Sequence, residues 1–319
     1  MPLPECPHVL ILGAGALGGF YGAKLHQAGL RVSVVCRSDF DTVRRDGIHV
    51  DGLEGTCHFH PHRVLRRAAE LDSPADVILV ATKSLPGVPV PPLLEGAVSP
   101  RTTLLLLQNG IGIEDDTARA FPNNELLSGL AFICASRTAP GHIRHVCFGH
   151  LTIGRHPRGD SSTAHWLAAQ WEKAGIPCRV SPQIVTERWK KLVWNAPFNP
   201  ISVLAGGATT RQMMDDPLLR NLARHVMVEV CEVAAAAGHP LPDSVVAEHL
   251  EATEAMKPYK TSMLLDYESG REAEIHAILG RTLEIAREHR VATPHLETLY
   301  ALLRHAKPGS TPANGAGGA

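Results

Sequence analysis

Lys190 and Lys191 sit side by side among Trp189, Leu192, Val193, Trp194 and Phe198, with Asn195, Pro197, Asn199 and Pro200 close behind. Burying an unpaired ammonium costs several kcal/mol even after relaxation, so a lysine in apolar company needs a partner. At 3.6 residues per turn, Lys191, Asn195 and Asn199 share one stripe of a helix, with Ser202 close to the same line. Lys190 is turned about 100° away, beside Thr186 and Glu187, and is expected in solvent. Pro197 removes a backbone N–H and frees the Val193 carbonyl, which predicts a kink. A cation and two amides on one cavity wall can protonate a developing oxyanion and hold a carboxylate. The stripe also fits the solvated face of an ordinary amphipathic helix.

A second constellation lies near the N-terminus. His8–Leu12 is a short apolar run, followed by Gly13, Ala14, Gly15, Ala16, Leu17 and Gly18, then a helical segment ending at Gly29 and a strand Val32–Cys36. Such a strand, glycine turn and helix cradle a dinucleotide. Gly13 permits the tight turn, Gly15 the approach of the pyrophosphate, and Gly18 close helix–strand packing. NAD enzymes place an acid about twenty residues past the glycines. Here the second strand ends in Arg37, whose guanidinium suits a 2′-phosphate and favours NADP. Asp39, two residues on, is the argument for NAD.

Two further apolar runs, Val77–Ala81 and Leu104–Leu107, deliver Lys83 and the Gln108-Asn109-Gly110 turn to strand ends, where ligands of such sheets gather. Strands are also expected over 131–137, 143–146, 151–155 and 178–181, and a helix over 164–174. From Pro182 onward the periodicity is helical, with helices near 217–237, 244–255, 273–290 and 294–305. The organisation expected is an α/β Rossmann-type domain over 1–182, an all-α substrate domain over 183–306, and a low-complexity tail over 307–319 with no core to bury.

Composition narrows the function. The chain has 319 residues, 44% hydrophobic and 20% charged, with a net charge of −1. Near-neutrality argues against nucleic acid or an anionic membrane as partner, and the apolar runs are too short to span a bilayer. The N-terminus has no signal-peptide pattern. Seven cysteines without CxxC spacing suggest reduced thiols and a cytoplasmic protein. His58, His60 and His62 would share one face of an extended segment, but Pro61 and the lack of an adjacent acid read as an exposed edge, with no metal required. An apolar helical half suits self-association as a homodimer.

The glycine turn, the Gln108-Asn109-Gly110 turn, the Trp189–Pro200 stretch and the segment Thr261–Gly280 together resemble the ketopantoate reductase (2-dehydropantoate 2-reductase) family, over nearly all of residues 8 to 305. That resemblance implies reduction of 2-dehydropantoate to (R)-pantoate by NADPH, on the route to pantothenate and coenzyme A. It places Lys191 on the proton donor, Asn109, Asn195, Asn199 and Ser262 on substrate contacts, and Glu274 near substrate and cofactor. Lys83 and Ala135 fall on cofactor contacts, and Arg37 on the reader of the 2′-phosphate. His276 and Leu279 depart from the family's usual acid and asparagine. Desolvation would bring the Lys191 pKa toward working pH, and a nearby carboxylate such as Glu274 would oppose that.

Three other activities bear on the same residues. A reductase of another branched 2-oxo acid shares every motif. A non-enzymatic NADP sensor would tolerate loss of Lys191. A short-chain dehydrogenase needs Tyr-xxx-Lys, which neither Tyr21 nor Tyr259 begins.

Overall fold

The computed structural model describes residues 3–53 and 55–306; the tail expected over 307–319 lies outside them. Contacts divide the chain into two units. The first comprises the described residues up to Lys83 together with Val88–Gln108 and Ile113–Glu187. The second comprises Ser84–Gly87, Asn109–Gly112 and the described residues from Arg188 onward.

The first unit is built on a ten-stranded sheet. Its strands are β1 (His8–Leu12), β2 (Arg31–Val35), β3 (Ile48–Gly52), β4 (Gly55–Phe59), β5 (Val64–Leu65), β6 (Val77–Val80), β7 (Thr103–Leu106), β8 (Leu126–Ala139), β9 (His142–Arg155) and β10 (Cys178–Val180). The order is β4-β3-β9-β8-β7-β6-β1-β2-β5, with β10 beside β9. From β8 through β7, β6, β1 and β2 to β5 every pairing is parallel. Strand β1 explains the doubly covered sheet: Val9 and Ile11 join one apolar cluster, Leu10 and Leu12 the other. Strands buried on both faces read as continuous apolar runs. Helices α1 (Ala16–Gln27), α2 (Phe40–Asp46), α3 (Val90–Leu93), α4 (Asp115–Ala120) and α5 (Ser162–Lys173) complete the unit.

Several expectations need correction. The segments 131–137, 143–146 and 151–155 belong to one long hairpin, β8 with β9, whose register shifts at three places let the strands stay paired. Cys134 and Cys147 face each other across that hairpin, 5.0 Å apart at Cα, and form a disulfide. Two of the seven cysteines are therefore not reduced thiols; a separation of 13 residues carries no motif, and only the hairpin register brings them together. The histidine segment shares a face only in part: His58 and His60 pack edge to face, 4.4 Å between ring centroids, but β4 ends at Phe59. His58 stacks on His49, and His49 on His142, across three strands, while His62 turns toward His8.

The second unit contains α6 from Arg188 on (the whole helix is Ile184–Leu204), then α7 (Thr210–Asp215), α8 (Pro217–Ala236), α9 (Val245–Ala255), α10 (Ser262–Glu268), α11 (Arg281–Glu288) and α12 (Pro294–His305). Helix α6 continues through both Pro197 and Pro200. Trp189, Leu192, Val193 and Phe198 are buried along it. The helix expected over 273–290 is different: residues 271–274 are irregular, a π-helical turn spans His276–Gly280, and α11 follows. Gly280 leaves room for the His276 imidazole in this turn, since a Cβ there would sit 2.2 Å from it.

Candidate active site

In the first unit, the glycine turn follows β1 at its junction between β2 and β6, where the strand order reverses. Gly13 has φ of +96°, and its amide and that of Ala14 both donate to the Val35 carbonyl. A Cβ on Gly18 would lie 2.1 Å from the Gly13 carbonyl oxygen, whereas one on Gly15 would meet nothing within 4 Å. The protein's own packing therefore demands glycine at 18 but not at 15. Ala16, Leu17 and Gly18 open α1, whose first amides have no partner within the helix. Together these features fit a dinucleotide pyrophosphate.

Arg37 is exposed just past β2, and Asp39 is buried. Asp39 accepts from Arg137, from the Gly141 amide at 3.1 Å and from Ser38 Oγ at 2.6 Å. Ala135 lies within β8 opposite His145. Lys83 follows Thr82, whose Oγ1 accepts from Gln108 Nε2 at 3.2 Å.

The second unit draws together residues distant in sequence. Lys191 Nζ donates to Asn109 Oδ1 at 2.9 Å, and Asn109 Nδ2 donates to Glu274 Oε2 at 3.0 Å. Glu274 Oε1 accepts from the Ser84 amide at 2.9 Å. The Lys191 pKa is lowered from 10.5 to about 7, by burial first and by the Arg188 charge second, with Glu274 opposing both. Lys190 instead lies 3.7 Å from Glu248, with its side chain 43% exposed.

Asn195 and Asn199 are buried on the same helix, and the Asn199 Oδ1 has no hydrogen-bond partner among the described residues. Ser202 Oγ donates to the Asn199 carbonyl and lies 2.6 Å from Thr261 Oγ1. Thr261 is the buried N-cap of α10, and Ser262 beside it is exposed. Because residue 274 precedes the helical turn, no helical face decides between Glu272 and Glu274. Glu272 is exposed, whereas Glu274 holds the contacts above. His276 turns elsewhere, its Nε2 lying 3.6 Å from Glu284 and its Nδ1 3.4 Å from the Tyr300 hydroxyl. Arg188, Ser84 and Thr261 were not anticipated. Arg188 stands one turn before Lys191 with no local sign that it turns inward, and Ser84 takes part through its backbone and left no side-chain signal.

The model of ketopantoate reductase PanE/ApbA matches residues 9–158, and that of the ketopantoate reductase PanE/ApbA C terminal matches residues 183–307. The chain belongs to the ketopantoate reductase family. A 2-dehydropantoate 2-reductase of Nostoc is 36% identical over 299 residues, covering 92% of this chain and 93% of its own. The crystal structure of 2-dehydropantoate 2-reductase from Methylococcus capsulatus is 46% identical with a TM-score of 0.88, covering 93% of this chain and 96% of that one. A D-mandelate dehydrogenase solved with NADH and anilino(oxo)acetate, 22% identical with a TM-score of 0.84 over 93% of this chain and 97% of its own, shares the fold. The family is one of oxidoreductases, and a pyridine-nucleotide-binding Rossmann-type domain followed by a helical one is its architecture.

Proposed function

We propose that this protein reduces 2-dehydropantoate to (R)-pantoate with NADPH, acting in the cytoplasm on the route to pantothenate. The observation that carries the reading is the chain Lys191–Asn109–Glu274, which holds an ammonium of lowered pKa among neutral amides. The bound nicotinamide supplies the hydride. Lys191 holds the proton that neutralises the developing alkoxide, and a pKa of about 7 lets it release that proton at neutral pH. Asn109 keeps Nζ aimed, and Glu274 fixes Asn109 while remaining an acceptor for a substrate hydroxyl. Asn195, Asn199 and Ser262 are the neutral contacts assigned to the substrate, and the Asn199 Oδ1, without a partner among the described residues, suits a hydroxyl donor. Gly13 to Gly18, Arg37, Lys83 and Ala135, together with Asn109 and Glu274, are assigned to NADP. The proposed domains are 1–182 for the cofactor and 183–306 for the substrate, assembled as a homodimer.

The test is NADPH oxidation against a panel of 2-oxo acids, with Lys191→Ala and Lys190→Ala alongside. 2-Dehydropantoate should be the preferred substrate. Lys191→Ala should lower kcat by about 100-fold or more, as loss of a positioned proton donor does, while Lys190→Ala stays near wild type. Equal losses would overturn the role of Lys191, and preference for another acid would overturn the substrate.

A further inference from the structure

Arg188 is 2% exposed and stands one helical turn before Lys191 on α6. An arginine there is costly, since a guanidinium stays charged and cations three apart on a helix repel each other. Its Nη1 donates to the Gly110 carbonyl at 3.1 Å. Gly110 has φ of +105°, and a Cβ on it would lie 2.4 Å from the Ala277 carbonyl oxygen. The next amide, Ile111 N, donates to that same Ala277 oxygen at 3.1 Å. The turn is thus gripped from two sides, by Arg188 of α6 and by Ala277 of the π-helical turn. The residue at its mouth is Asn109, which links Lys191 to Glu274.

We propose that Arg188 is a positioning residue for the reduction, which holds the Gly110 carbonyl so that Asn109 presents its amide to Lys191 at one end and to Glu274 at the other. The proposal rests on the reductase reading above. A carbonyl needs only one donor, and water or a neutral side chain would satisfy it. The guanidinium adds a fixed positive charge within one turn of the proton donor. The charged groups that act on Lys191 are Arg188 from its own helix, which lowers its pKa, and Glu274 from the segment before the π-helical turn, which raises it. Asn109 is neutral, and Lys190 faces Glu248. Arg188 therefore serves two ends: geometry through Gly110, and readiness to give up a proton through its charge.

The experiment is the pH profile of kcat/KM for reduction by wild type, Arg188→Met and Arg188→Lys at saturating NADPH, with NADPH affinity measured separately. Reduction requires the Lys191 ammonium, so activity falls as pH rises through its pKa, near 7 in the wild type. Removing the charge in Arg188→Met should move this alkaline limb upward by about one pH unit. It should also lower kcat by roughly 10- to 100-fold through misplacement of Asn109. Arg188→Lys keeps the charge but loses the planar fork, so the limb should stay in place while kcat falls about tenfold. NADPH affinity should be unchanged in both. An unmoved limb in Arg188→Met, or a kcat loss that only tracks lost thermal stability, overturns the proposal. If Arg188→Met does not fold, wild-type kcat in Arg188→Lys overturns it alone. A wild type without 2-oxo acid turnover, or indifferent to Lys191→Ala, removes the reductase reading and this proposal with it. An active wild type that needs Lys191 but not Arg188 removes only this one.

Discussion

The contrast between Arg37 and Asp39 turns on which side chain is already committed. Asp39 is buried and accepts from Arg137, Ser38 and the Gly141 amide, so it ties the segment after β2 to the β8–β9 hairpin. A carboxylate so engaged is poorly placed to receive a ribose hydroxyl, and the exposed Arg37 remains to meet a 2′-phosphate. A charge-assisted hydrogen bond contributes roughly 1.5 to 3 kcal/mol. Arg37→Ala is accordingly expected to weaken NADPH binding by tens-fold while leaving NADH nearly unchanged, as read by cofactor titration. Parallel losses would make Arg37 structural. At this scale the sequence was legible where spacing alone places a side chain: Lys191, Asn195 and Asn199 fall four apart. It was illegible for Arg188, because a local window does not show that an arginine turns inward to a carbonyl 78 residues away.

Among elements, the parallel strands were readable because burial on both faces leaves uninterrupted apolar runs, as in β1 and β6. The β8–β9 hairpin was read in pieces, since its bulges and its polar, exposed residues break the alternation a strand normally shows. Residues 271–280 misled for another reason. Their composition is helical, but the chain is irregular through Glu274 and then widens into a π-helical turn that ends at Gly280. The glycine turn offers an element-level test. Gly15 has φ of −76° and open space where its Cβ would be, so Gly15→Ala is expected to leave the thermal midpoint within a few degrees of wild type but to weaken dinucleotide binding. Gly18→Ala drives its Cβ into the Gly13 backbone and should lower the midpoint markedly, before any question of cofactor. Equal destabilisation by the two changes would mean that Gly15 is held by packing after all.

Over the whole molecule, the lysine that equips the site also taxes the fold. Its pKa is lowered from 10.5 to about 7, so between those values the unfolded chain binds a proton that the folded one lacks. Stability then rises with pH through this window, by at most about 1.4 kcal/mol per pH unit. The partial exposure of Lys191 makes the real slope shallower. Below about pH 7 both states carry the charge, and the full cost of sheltering an ammonium remains. Buried thiols work the other way at higher pH. Cys36 and Cys231 are raised to about 11 and Cys178 to about 12, so their contribution is lost as the unfolded thiols ionise above about 9. Those groups are common to wild type and Lys191→Met, and they cancel in the difference between the two. Urea denaturation followed by far-ultraviolet ellipticity should therefore find Lys191→Met more stable than wild type at pH 6. The gap should hold up to about pH 7 and then narrow as the pH is raised to 9. A gap that stays constant over that range would mean that Lys191 keeps its proton in the folded protein throughout. Its ammonium would then be stabilised by Glu274 more than burial and Arg188 destabilise it, and a lysine so held would be a poor acid at neutral pH.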